Sequence, residues 1–145
     1  NPPMLYISVR KSRYSYTALH QTKVFGINLT TEKLAWATDY CGVVSGSTHD
    51  KFKECHLTKE KAEEIDVSLV AESPVTIECR IADERDLGSH VMLLAYVLSV
   101  HVDSKYMDED GRFALEKAKP IVYSHGTYFS LGKELGTFGY SVKKK

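Results

Sequence analysis

The stretch His90–Val102 constrains the fold more than any other part of the chain. Met92, Leu94, Tyr96, Leu98, Val100 and Val102 alternate with Val91, Leu93, Ala95 and Val97, and the second set turns polar at Ser99 and His101. Alternation at period two predicts one long strand, with the even-numbered residues on one side. A strand that is apolar on both faces at one end is either covered twice or curls through a barrel wall. The run is too short and too interrupted to cross a bilayer as a helix.

The other segments build around that strand. Met4–Val9 is a short apolar strand preceded by Pro2-Pro3, which a helix interior or central strand would not tolerate. Arg13–Gln21 can form a short helix with Tyr16, Leu19 and His20 on one face, and Val24–Leu29 reads as a second strand. Thr30-Thr31 supplies a cap before a helix with the stripe Leu34, Ala37, Thr38 and Cys41, and Gly42 supplies its stop. Gly42–Thr48 is a loop, Asp50–His56 a short helical piece, and Thr58–Glu64 a solvated turn or helix. Val75–Ile81 alternates as a strand, Asp108–Gly111 turns, Pro120–Tyr123 and Thr127–Leu131 are short strands, and Lys143–Lys145 is a solvated tail. The expectation is one mainly β domain over residues 1–145, with helices inserted in its first half. Periodicity leaves a barrel and a two-layer sheet both open.

Bulk charge narrows the function classes. Lysine plus arginine balance aspartate plus glutamate at 19 each, which argues against a nucleic-acid partner or an anionic membrane surface. No charged-then-apolar signal opens the chain, so the expected address is cytoplasmic. Cys41, Cys55 and Cys79 are odd in number and show no C-x-x-C spacing, which reads as scattered reduced thiols. His49, Cys55 and His56 lack a second cysteine pair, so no metal site is expected. Asn28-Leu29-Thr30 matches a glycosylation sequon but closes an apolar strand, and reads as an accident.

Two polar clusters could carry chemistry. Arg10-Lys11-Ser12-Arg13-Tyr14-Ser15 follows a strand and opens a helix, where cations, hydroxyls and free N–H groups suit a phosphate. Taken alone it reads first as a basic surface turn. In Ser45–Phe52, Gly46 allows close backbone approach, several hydroxyls converge, and Lys51 offers a point charge. Neither a P-loop nor a G-x-G-x-x-G fingerprint is present. His90 differs from the other histidines because Gly88-Ser89 leads it into the long strand, where an imidazole can bond a cofactor or donate a proton; a strand-end histidine bonded to backbone is the plainer reading. His20, His49, His56, His101 and His125 read as surface or satisfied residues. Tyr123 and Tyr128 flank Ser124-His125-Gly126 and could stack on a flat ligand or pack in a core. A G-x-S-x-G elbow and a paired-carboxylate motif are both lacking.

Asn1–Arg10, Arg13–Leu19, Phe25–Gly42, Ser45–Phe52, Glu72–Ile81, Gly88–His90 and Tyr123–Ser141 together, in this order, resemble the flavin-reductase-like, FMN-binding split-barrel family. The resemblance implies a Greek-key-like split β-barrel, a homodimer, and FMN held without a covalent bond. It places Ser15 at the family's Ser/Thr position and Lys51 at the lysine of S-G-x-x-x-D-K-F, both reaching FMN, with Arg10, Tyr14 and Ser45 as further pocket lining. His90 matches the histidine of the family's G-D-H motif beside the flavin and nicotinamide, and Tyr123 an aromatic position facing the ring. Ser89 replaces the usual aspartate of that motif, which lowers the expectation for nicotinamide handling. Family members also usually carry a further hairpin before N-P-P-M. The sequence starts at Asn1, which leaves three alternatives open: a barrel lacking that hairpin, one completed by a swapped chain, or a hairpin lying outside this sequence.

The function implied is electron transfer from NADH or NADPH through FMN to free flavin, a small molecule or a small redox protein. The alternatives are a flavin-binding module without turnover and a degenerate barrel acting as a dimeric interaction domain.

Overall fold

A computed structural model of the chain describes residues 1–142; the expected tail Lys143–Lys145 lies outside the described residues. Strand β1 (Met4–Arg10) leads into helix α1 (Tyr14–Thr22) and strand β2 (Val24–Asn28). After a 3-10 turn come helix α2 (Ala35–Val43), the short helix α3 (Lys51–Glu54), and the ribbon β3 (Lys59–Lys61) and β4 (Ser68–Val70). The long strands β5 (Val75–Asp86) and β6 (His90–Val102) follow, then the hairpin β7 (Ile121–Ser124) and β8 (Thr127–Ser130). The main sheet is antiparallel with order β1-β6-β5-β2, curled as half of a split barrel. Among the described residues no helix is long and apolar enough to cross a membrane.

The sheet carries a separate apolar cluster on each face. On one face Phe25, Cys79 and Ala95 form the buried centre, with Leu5, Ile7, Ile27, Ile77 and Ile81 around it and Leu19 of α1 as cover. On the other, Ala62, Ile65 and Leu69 pack with Val24, Val67 and Leu98, so the ribbon and its loop cover the β2 side. Gly26 makes this second contact possible, because a Cβ there would stand 2.3 Å from Leu69 Cδ2. The loop is pinned by Glu78, whose fully buried carboxylate accepts from the N–H groups of Glu63 (2.9 Å), Glu64 (2.7 Å) and Ile65 (3.2 Å).

Four expectations require correction. The even-numbered residues of β6 do not stay on one side. Val97 pairs with Cys79 but Ser99 pairs with Glu78, so Leu98 is an extra residue in the ladder. Paired residues share a face, so beyond this bulge Val100 lies with Ile77, while Ser99 and His101 join Glu78 and Thr76. The region Thr58–Glu64 contains strand β3 rather than a helix. Its three paired residues are all exposed, so no apolar alternation marks it, and its buried anchor is Leu69 on β4. Thr31 makes no side-chain cap; it is buried and bridges Pro120. Gly42 does not stop α2, which continues through Val43.

Candidate functional site

Four of the sequence-selected residues converge. Tyr14, Ser15, Ser45 and Lys51 line one cleft of about 450 Å³, together with Ser12, Arg13, Gly46 and the Cys41–Val44 end of α2. Helix α1 begins there without a side-chain cap and without an acidic residue in its first turn. The amides of Tyr14 and Ser15 have no carbonyl acceptor among the described residues, whereas Tyr16 N–H bonds Arg13 O at 3.0 Å. Such a terminus carries roughly half a positive charge. Arg13 and Lys51 add two cations, and no carboxylate lines the cleft. This donor set fits a phosphate dianion.

The far wall is held from several directions. Asp50 caps α3 by accepting from Lys53 N–H at 3.2 Å, which sets Lys51 at the first position of that helix. Lys51 Nζ donates to the Cys41 carbonyl at 2.6 Å, joining α3 to the last turn of α2. Ser45 accepts from the N–H groups of Thr48 (3.2 Å) and His49 (3.1 Å), and its Oγ lies 2.8 Å from Ser47 Oγ. Gly46 packs against the Tyr14 ring, where a Cβ would sit 3.4 Å from Cδ1. Behind this loop, Glu54 accepts from Tyr40 and lies 2.9 Å from His49 Nδ1. The hydrogen bond to Glu54 and partial burial push the Tyr40 phenol up to about 12, and the same two partners hold Glu54 below the usual carboxylate range.

Tyr123 occupies a neighbouring cleft with Tyr128, Thr38, Asp39 and Gly126. That cleft shares Gly42 and Val43 with the first, so the two are contiguous along α2. The Tyr123 and Tyr128 rings are 5.0 Å apart, and the His125-Gly126 turn between them uses positive φ at both residues. Arg10 and His90 line neither cleft. They oppose each other across β1 and β6, and His90 Nδ1 lies 2.9 Å from Ser89 Oγ. The Arg10 carbonyl accepts from Arg13 N–H at 3.0 Å, which puts this pair at the same end of the sheet as the start of α1.

The α2 terminus, Cys41 through Val44, forms part of the wall without any signal in its sequence. The thiols also depart from expectation: Cys41 and Cys55 are not scattered, since their Sγ atoms lie 3.9 Å apart.

The chain is 26% identical to flavoredoxin of Desulfovibrio vulgaris (Miyazaki F), with a TM-score of 0.89 over 98% of this chain and 77% of that one. Flavoredoxin from Methanosarcina acetivorans gives 24% identity and a TM-score of 0.87, covering 99% and 78% respectively. A protein of Aeropyrum pernix is 27% identical over 123 residues, 84% of this chain, which spans only 46% of that protein's length. The flavin reductase like domain model matches residues 1–132, and on that match the chain belongs to the flavin-reductase-like family.

Proposed function

We propose that residues 1–145 act as one domain that binds FMN non-covalently and passes electrons from NADH or NADPH to flavin or a small redox acceptor. The observation that carries this reading is the carboxylate-free cleft where α1 and the Ser45–Lys51 segment meet. In it Ser15 and the open amides of α1 would bond phosphate oxygens, and Lys51 would neutralise them. Tyr14 and Ser45 would line the approach, and Tyr123 would flank the ring across Gly42 and Val43. FMN supplies the hydride-accepting chemistry, and the chain supplies binding, orientation and local polarity. His90, beside Arg10, would bond the ring or the incoming nicotinamide.

A symmetric homodimer is part of the same proposal. Met4, Tyr6 and Tyr96 are exposed on one face of β1 and β6, where Met4 pairs with Tyr96 and Tyr6 with Leu94. An apolar strip of this kind suits burial against a second copy. Sedimentation of the FMN-loaded protein should give a dimer at micromolar concentration, and a monomer would overturn that part.

The test of function is spectroscopic. Purified protein titrated with FMN should quench its fluorescence, and NADH or NADPH should then bleach the bound flavin. Binding without bleaching would favour a flavin-holding module. Absence of binding would leave the interaction domain.

A further inference from the structure

We propose that Cys41 and Cys55 form a thiol pair that a hydroperoxide closes to a disulfide, and that closure releases Lys51 and weakens the cleft's hold on phosphate. The first half stands on the thiols alone; the second rests on the phosphate reading of the cleft.

Cys41 lies in the last turns of α2, and Cys55 is the residue that ends α3. Their Sγ atoms are 3.9 Å apart, and a disulfide needs about 2.05 Å, so closure draws the two sulfurs together by roughly 1.9 Å, through side-chain rotation and movement of the chain that carries them. The chain between them carries Ser45, Gly46 and Lys51, which form half of the phosphate cleft. Cys41 also lines that cleft, and its own carbonyl holds Lys51 Nζ at 2.6 Å. Under the proposal the Cys41 backbone takes up enough of that approach to stretch this hydrogen bond beyond its narrow distance range. Sulfur chemistry and ligand grip therefore meet at one backbone group.

The two thiols differ in access. Cys41 is half-buried, while Cys55 is buried, and burial together with the neighbouring Cys41 pushes the Cys55 thiol up. Cys41 therefore reacts first. Its thiolate attacks one oxygen of the hydroperoxide, the O–O bond breaks, and an alcohol or water leaves with the thiol proton. The Cys41 sulfenic acid is then attacked by Cys55 sulfur. The S–O bond breaks, hydroxide leaves and takes the Cys55 proton as water, and the S–S bond forms. Overall the two thiols lose two electrons and two protons to the peroxide. Cys79 is fully buried between Phe25 and Ala95 in the sheet core, and burial pushes it up to about 11, so it serves as an inert internal reference.

The experiment treats the full chain with hydrogen peroxide and counts thiols in denaturant. The count should fall from three to one, with Cys41 and Cys55 peptides joined and Cys79 free. Neither Cys41→Ser nor Cys55→Ser should form an intramolecular link. On oxidation, Lys51 should become more reactive to an amine-acylating ester, and FMN affinity should fall about tenfold, with both changes reversed by dithiothreitol. Three surviving thiols, or a Cys41 oxidised further without a link to Cys55, overturn the pair. A complete link with unchanged Lys51 reactivity overturns the coupling. If the reduced protein binds no FMN, the functional reading falls, and the thiol count and Lys51 labelling still decide this inference.

Discussion

His101 Nε2 donates a 2.7 Å hydrogen bond to Glu78 Oε1 from the neighbouring strand, completing the partners of a carboxylate with no exposed surface. Burial by itself would push the Glu78 carboxyl up. The N–H groups of Glu63 and Glu64, with His101, outweigh it and hold Glu78 below the usual carboxylate range. The stabilisation is therefore present above the ordinary carboxylate pKa and is lost as pH falls through the lowered, folded-state value. Glu78→Gln places an amide against N–H donors and should cost on the order of 2–3 kcal/mol near neutral pH. Denaturant unfolding of both proteins should show the gap narrowing as pH falls below the ordinary carboxylate range. A constant gap across that range would mean the ionised carboxylate is not the source.

Gly26→Ala should destabilise the fold by about 1–3 kcal/mol, since the new methyl meets Leu69, which is 2% exposed and has little room to move. Combining it with Leu69→Val should recover part of that loss relative to the sum of the single changes. Strict additivity in denaturant melts would remove the proposed contact.

Lys51→Ala should weaken FMN binding by roughly tenfold or more, because a charge-assisted bond of this kind contributes about 1.5–3 kcal/mol. Fluorescence titration reads the change directly and does not depend on turnover. The half-buried carbonyl of Cys41 loses its donor in the variant, so the melting temperature should be measured beside the affinity. An unchanged affinity would take Lys51 out of the site.

His90→Ala should slow NAD(P)H-driven flavin reduction while the melting temperature stays nearly constant. Its side chain is bonded to the adjacent Ser89 and, among the described residues, bridges no distant element. Stopped-flow reduction and thermal melts of the same sample separate the roles. Early unfolding with a normal rate in the folded fraction would make His90 a strand-end structural residue.

Sequence pattern reached the main strands because their signals are local. The span of β6 follows from alternation, and α3 falls inside the short helical piece expected over Asp50–His56. The ribbon strand Lys59–Lys61 escaped because all of its burial is borrowed from Leu69 across the pairing. From the residues alone the cleft was legible only as two weak clusters, since nothing in Arg13–Ser15 or Ser45–Lys51 encodes that α2 brings them together. It was the family resemblance that joined Ser15 and Lys51 at one ligand. The same gap hid the Cys41–Cys55 contact, whose spacing carries no motif and whose proximity depends on how α2 turns back toward α3.

The extra residue at Leu98 makes the bulge in β6, more than its composition, the protected feature. Ironing the bulge out at full length, with Leu98 opposite Glu78, would carry Ser99 and His101 to the face of Ala95 and Cys79 and turn Val100 toward the face of Glu78. Such a one-residue slip would thus strand a buried charge and put polar groups into an apolar cluster. Deleting Leu98 itself would restore a regular ladder with both faces kept, and single apolar exchanges along the strand would reassign neither. Other insertions and deletions belong in the exposed turn at Asp108–Gly111, closed by its own 3.0 Å hydrogen bond, where no face is reassigned.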